Sequence, residues 1–109
     1  MYRINVYIPQ SHLEAVKQAM FKAGAGRIGN YDHCCWQVTG EGQFRPLKGS
    51  NAFIGDTGKI ETVRETKVEM VCEYHVLKPV LEAMIQAHPY EEPAYDVCLV
   101  LTLADLTDI

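Results

Sequence analysis

The sequence predicts a ferredoxin-like α+β sandwich, in which two helices cover one face of a four-stranded antiparallel sheet. Three observations lead to this prediction. The hydrophobic pattern switches between a period of two and a period near 3.6, the elements follow the order β-α-β-β-α-β, and a glycine-rich segment separates the second strand from the third. At 109 residues the chain is long enough for one hydrophobic core, so we expect a single domain over residues 1–109.

The first strand and first helix have clear sequence signals. Apolar and polar side chains alternate over residues 2–8, which predicts a strand with one buried face. Ser11 followed by Glu14 has the spacing of a capping box, in which two side chains satisfy free amides at a helix start. Apolar residues then recur at helical spacing, and Gly24 is a typical residue just beyond a helix C-terminus. We therefore expect a helix over residues 11–23.

The middle of the chain is less regular. Aromatic and β-branched residues over 31–39 predict the second strand. Residues 40–65 carry five of the eight glycines and only scattered apolar residues, so we expect a long functional or interface loop there. Alternation over residues 68–73 predicts the third strand.

The C-terminal part repeats the helix and strand pattern. Apolar residues at helical spacing predict a second helix over residues 77–87, with Pro79 in its first turn, where the missing amide costs little. The apolar run 97–101 predicts the last strand. Between them His88 and Glu92 each precede a proline and are biased toward extended geometry, which makes residues 88–96 a stiff corner.

The predicted topology sorts the connections by end and the strand residues by face. Right-handed crossovers place residues 9–12, the 40–65 loop and the corner at one end of the sheet, and residues 33–35 and 72–75 at the other. The face away from the helices should carry apolar or aromatic side chains, which are Tyr7, Val71, Cys98 and Val100. Such a face is more apolar than a solvated surface, so we expect another subunit to cover it.

Composition excludes several classes of partner. Apolar residues are 48% and charged residues 22% of the chain, as in ordinary soluble proteins, and the net charge is −4. This charge offers no basic surface for nucleic acid or anionic membranes. The N-terminus lacks the apolar core of a signal peptide, so we expect a cytoplasmic location. Four cysteines without CxxC spacing are expected to be free thiols.

Two groups of side chains have metal-ligand chemistry. The first is His12, His88, Glu91 and Glu92, which the topology brings to one end and which suits zinc, manganese or copper. The alternative is structural: His88 caps the last carbonyls of the second helix, and the two glutamates form an exposed or subunit-bridging turn.

The second group lies at the opposite end and would favour copper(I) or zinc. Its members are His33, Cys34, Cys35, Cys72 and His75. Adjacent cysteines on a strand point to opposite faces, so at most one of the pair joins a given site. The alternative is that Cys72 packs inward as a small apolar residue and the others are structural.

Anion binding is the third hypothesis. Arg45 and Lys48 in the glycine-rich loop offer charge and free backbone amides to an anion such as a nucleotide phosphate, with Tyr90 on the same ligand surface. No phosphate-loop spacing is present, and solvated loop charges explain the same residues.

Four motifs resemble one known family. They are AGRIGNYD at 25–32, GEGQFRPLKGSN at 40–51, FIG at 53–55 and HPYEEPAYD at 88–96. Together they resemble the insert domain of long bacterial Nif-three-like proteins of the YqfO type, a domain similar to the CutA and PII trimeric signalling fold. The resemblance implies a stand-alone homologue of that insert: a small trimeric module, regulatory or metal-responsive, whose strand two to three loop receives an effector or partner. It implies no catalytic centre, because the parent proteins' di-metal core lies in flanking segments.

We therefore expect a cytoplasmic, homo-oligomeric regulatory or metal-binding module, with a divalent or copper ion as its candidate cofactor. Two alternatives remain. One is a metal-dependent hydrolase that uses His88, Glu91 and Glu92. The other is a purely structural oligomerisation domain whose corner locks subunits together.

Overall fold

The computed structural model describes residues 1–107, which form one sheet and two helices. The elements are β1 (Tyr2–Pro9), α1 (Leu13–Ala23), β2 (Trp36–Phe44), β3 (Glu61–Cys72), α2 (Tyr74–Ala87) and β4 (Tyr95–Leu99), with 3₁₀ turns at Gln10–His12 and Leu103–Asp105. The strands lie in the order β2-β3-β1-β4, and every neighbouring pair is antiparallel. This is the predicted ferredoxin-like arrangement, so the fold prediction is confirmed.

The core lies between the sheet and the two helices. Ile4 of β1 stands opposite Met70 of β3 and Val97 of β4, which places these side chains on the helix-covered face. The other buried hydrophobic residues come from the same face, from the inner sides of α1 and α2, and from the segment just after α1. They are Val6, Ile8, Leu13, Val16, Met20, Phe21, Ala25, Val68, Cys72, Val80 and Met84. Cys72 packs inward, which agrees with the structural alternative for this residue.

The helix boundaries differ from the prediction at their N-termini. Ser11 lies in a 3₁₀ turn, and its Oγ contacts His12 Nδ1 at 2.8 Å instead of capping α1. The C-terminal signal is confirmed, because Gly24 has φ +119° and its amide reaches Phe21 O at 3.0 Å. The second helix begins at Tyr74, before the predicted residue 77, so Pro79 lies inside α2 and not in its first turn.

The largest correction concerns the second strand. Residues 31–35 are irregular, with His33 at φ +55°, and β2 runs from Trp36 to Phe44 through Gly40 and Gly42. The predicted loop over 40–65 is shorter, at residues 45–60, because both of its ends pair as strands. Backbone pairing with the long strand β3 outweighs the weak strand propensity of the glycines.

The outer face of the sheet is mixed in character. The register places Tyr7, Val71 and Cys98 there as expected, whereas Val100 lies beyond the end of β4. Charged side chains share this face, including Arg3 and Glu69, whose Nε and Oε1 are 3.7 Å apart. Within residues 1–107 no helix is long and apolar enough to cross a membrane.

Candidate functional site

A cleft opens at the end of the sheet where β2 ends and β3 begins. Its volume is about 400 Å³, and it is lined by segments 43–47, 50–54 and 90–94 together with Glu65. Gln43 and Phe44 are the last residues of β2, and the rest of the first two segments belongs to the loop between β2 and β3. The third segment belongs to the corner after α2. The predicted convergence of loop and corner at one end is therefore confirmed.

Three aromatic rings line the cleft. The ring centroid of Tyr90 lies 6.2 Å from that of Phe44 and 6.3 Å from that of Phe53, with interplanar angles of 53° and 49°. The His12 ring meets Phe53 edge-on at 5.5 Å, outside the cleft lining. The tilted contact between Phe53 and Tyr90 links the loop to the corner through apolar surface.

His88 fixes the corner to the first strand. Its Nε2 donates a hydrogen bond to the carbonyl of Tyr7 at 2.7 Å, and its Nδ1 accepts one from the amide of Tyr90 at 3.2 Å. Both ring nitrogens of the buried imidazole are thus engaged by backbone groups. Burial lowers the pKa of His88, against the opposing effects of the Tyr7 carbonyl and the Glu65 carboxylate. The contact goes to β1, and not to the last carbonyls of α2.

Two of the polar groups that line the cleft are the hydroxyl of Tyr90 and the carboxylate of Glu65. The hydroxyl is buried, and no partner among residues 1–107 meets hydrogen-bond geometry with it. Burial raises the pKa of Tyr90, and the neighbouring Glu65 raises it further. The side chain of Glu65 lies over Gly42, where a Cβ atom would collide with its carboxylate. Glycine at this position therefore makes room for the carboxylate.

A single hydrogen bond ties the tip of the loop to the corner. The backbone amide of Asn51 donates to Glu91 Oε2 at 2.9 Å. Within the loop, the amide of Gly58 donates to the carbonyl of Pro46 at 2.7 Å and closes the segment on itself. The loop is thus held against the corner at one wall of the cleft.

The predicted site residues divide between the cleft and its surroundings. Tyr90, Glu91, Glu92 and Arg45 line the cleft, whereas Lys48 is exposed and lies outside the lining. The sequence prediction missed Glu65 as a site residue. The sequence signal for Glu65 is the spacing of Gly40 and Gly42. Two glycines at alternate positions of a strand leave one of its faces free for a long side chain of the neighbouring strand.

The second predicted metal set lies at the other end of the sheet. His33 Nδ1 is 3.2 Å from Asp32 Oδ1, and its ring packs against Phe21 at 4.7 Å. Cys34 and Cys35 precede β2 and are not strand neighbours, and His75 is an exposed residue of α2.

Neither metal set is assembled among the residues that the structure describes. Among residues 1–107 no group of three or more His, Cys, Asp or Glu side chains is placed to hold a metal ion. A metal at His88 would also displace one of its two backbone hydrogen bonds. Metal binding by either set stays a prediction. Cys34, Cys35, Cys72 and Cys98 are free thiols, as expected, and burial raises the pKa of the Cys72 thiol.

Sequence comparison identifies relatives over most of the chain. No family model matches the chain. It is 51% identical over 92 residues to a GTP cyclohydrolase 1 type 2 homolog of Mycobacterium leprae, and 46% identical over 95 residues to one of Bacillus subtilis. These matches cover 84% and 87% of this chain but only 24% and 26% of the relatives. The chain is a homologue of one segment of these proteins.

Structural comparison extends this homology and supports the fold. A Bacillus cereus protein related to NIF3 superposes with a TM-score of 0.76 and 41% identity, covering 88% of this chain and 24% of that one. The PII-like protein CutA of Nostoc gives 0.67 at 16% identity, covering 97% and 86%. CutA of Xylella fastidiosa gives 0.67 at 18% identity, covering 95% and 88%. The NIF3-related segment thus has a fold of the CutA and PII-like type.

Proposed function

We propose that this NIF3-related segment is a cytosolic, non-catalytic effector-binding module that assembles as a trimer. The effector site is the cleft between the 45–60 loop and the corner. One observation carries the proposal: two segments far apart in sequence form the walls of a cleft of about 400 Å³. Ligand pockets typically span about 300–1,000 Å³ and are mainly apolar with a few polar groups.

The position of the cleft suits regulation. The 45–60 loop joins β2 to β3, and the corner joins α2 to β4, so a ligand that contacts both walls stabilises the closed arrangement of the loop. A ligand shifts a conformational equilibrium by its difference in affinity for the two states. The fold likeness to a PII-like protein supports a signalling role. We assign any activity of the longer relatives to the parts of those proteins that lie outside the matched segment.

The trimer proposal rests on exposed apolar surface beside unpaired strand edges. Trp36 and Val38 of the edge strand β2 are 61% and 47% exposed, and Leu99 of the edge strand β4 is 66% exposed. Open edges with large apolar side chains are surfaces that proteins normally cover. A second and third copy of this chain would cover both edges. The four free thiols fit a reducing cytosol.

Fragment screening by NMR tests the effector site. A library of small polar and aromatic fragments, with zinc and copper salts as separate arms, is added to ¹⁵N-labelled protein. We expect shift changes for amides of the loop and corner. Phe53→Ala should weaken them, because Phe53 lines the cleft; at 49% exposed, it lies outside the buried core. Tyr31→Ala, at a residue 75% exposed and outside the cleft, is the matched control.

The outcomes separate the hypotheses. Fragment binding at the cleft supports the effector site, and fragment shifts elsewhere or none at millimolar concentration contradict it. Metal-induced shifts at His12, Glu91 and Glu92, or at the cysteine end, would support a metal module instead. Native mass spectrometry tests assembly, and a monomer at micromolar concentration contradicts the trimer.

A further inference from the structure

We propose that the cleft recognises an organic cation, namely an alkylated ammonium group carried on a small molecule. This inference rests on the proposed effector site and names the chemistry of its ligand. It follows from three features of the lining: the aromatic rings, the balance of charge, and the close approach of Glu65 to Gly42.

The aromatic rings supply the first argument. Phe44 and Phe53 flank Tyr90 at centroid distances of 6.2 and 6.3 Å, and all three rings line the same cleft. An alkylated ammonium group is attracted to the electron-rich faces of such rings and loses less hydration than a small inorganic ion. Rings of this kind attract a cation without ligand atoms at fixed distances.

The charges of the lining supply the second argument. Three carboxylates, those of Glu65, Glu91 and Glu92, share the cleft with one cation, Arg45. Arg45 is exposed, whereas Glu65 is half-buried, so the carboxylate has the stronger field inside the cleft. Lys48, the other residue expected to bind an anion, lies outside the lining. The cleft therefore favours a positive ligand over phosphate.

The polar groups around Glu65 supply the third argument. The carboxylate occupies the space above Gly42, and the buried hydroxyl of Tyr90 lies nearby without a hydrogen-bond partner among the described residues. A buried hydroxyl without a partner is unfavourable, and a ligand hydroxyl beside the cationic centre would accept its hydrogen bond. The carboxylate would then balance the ligand's charge.

Calorimetric titration with choline tests this proposal, and 3,3-dimethyl-1-butanol serves as its neutral isostere. The two probes have nearly the same shape and differ in charge. We expect choline to bind at least about tenfold more tightly, the difference that a partly desolvated cation on aromatic faces produces. Inorganic phosphate should not compete.

Two pairs of variants locate the effect. Glu65→Gln removes the charge, and Gly42→Ala displaces the Glu65 carboxylate; both should weaken choline binding by about tenfold. Glu69→Gln is the control for lost charge, because Glu69 lies on the same strand and face outside the lining. Gly40→Ala is the control for the added methyl group, because a Cβ at Gly40 meets no atom within 4 Å. Neither control should change choline affinity.

The possible results distinguish this inference from the proposed function. Equal affinity for choline and its neutral isostere, or displacement of choline by phosphate, overturns the cation proposal while leaving the cleft as an effector site. Choline affinity that is unchanged in both Glu65→Gln and Gly42→Ala also overturns it. Absence of cleft shifts with every fragment in the NMR screen overturns the effector site itself.

Discussion

Replacement of His88 by alanine should destabilise the protein by detaching the corner from the first strand. The imidazole is 6% exposed and joins the carbonyl of Tyr7 to the amide of Tyr90 at 2.7 and 3.2 Å. Alanine removes both hydrogen bonds and leaves a cavity where the ring stood. The two backbone groups then lose their partners in a partly buried setting.

The number of hydrogen bonds that the imidazole makes sets the size of the expected loss in stability. An unsatisfied buried polar group costs about 1–3 kcal/mol, and the two groups here are partly accessible to water after the ring is removed. We expect His88→Ala to lower the free energy of unfolding by roughly 2–4 kcal/mol. His88→Gln can still donate to Tyr7 and should lose less. His75→Ala, at an exposed position of α2, should change stability by less than about 0.5 kcal/mol.

Urea unfolding followed by circular dichroism at fixed protein concentration measures these differences.

The pH dependence of stability provides a second readout. Burial lowers the pKa of folded His88 below its ordinary value of about 6.5, so the unfolded chain takes up the proton first. The contribution of neutral His88 to stability is therefore fully present above pH 6.5 and is lost as the pH falls through the pKa of the folded state. His88→Gln should lose less stability than wild type on acidification from about pH 7 to 5. A loss below about 1 kcal/mol in His88→Ala, or identical pH profiles, would show that the imidazole does not hold the corner to β1.

Three further predictions concern the scaffold. Gly26→Ala should lower the free energy of unfolding by roughly 2–4 kcal/mol, because residue 26 has φ +78° and the added Cβ would lie 2.8 Å from a backbone carbonyl oxygen. Gly29→Ala should lower it by about 1–2 kcal/mol, because residue 29 has φ +56° but open space around it. Equal losses in urea unfolding would contradict the packing argument. Met84→Ala should lower the free energy of unfolding by about 2–5 kcal/mol, because Met84 is fully buried. Ile85→Ala should lower it clearly less, because Ile85 is 45% exposed. The reverse order of the two losses would contradict the position of the core. Trp36→Lys should shift the native mass toward monomer while the circular dichroism spectrum is retained; an unchanged oligomer mass would exclude Trp36 from the interface.

The fold was largely predictable because its strongest local patterns agree with its topology. The alternation over residues 2–8 and the helical spacing around Val80 and Met84 each bury one face, and the prolines of the corner restrict where α2 ends. The order of these elements then left few topologies. Local propensity was less reliable at β2. The aromatic residue before Trp36 led to a predicted strand start at residue 31, where the structure has no strand. Gly40 and Gly42 have low strand propensity, so the second half of β2 was not predicted.

The candidate site was predictable in position but not in detail. Topology alone brought the loop and the corner to one end of the sheet. The direction of each side chain depends on tertiary packing, which does not follow from the spacing of residues in the sequence. His88 carries ligand chemistry in sequence, yet both of its nitrogens bind backbone groups. Glu65 has no motif around it, and its role emerged from its position over Gly42.

Ligand binding in the cleft between the loop and the corner would place the effector site at this end of the sheet. Its most direct test is the map of amide shifts during the NMR fragment screen. We expect changes clustered on residues 43–54 and 90–94, which weaken in Phe53→Ala and persist in Tyr31→Ala. Changes confined to the opposite end of the sheet, or an unperturbed cleft at millimolar fragment concentrations, would contradict it.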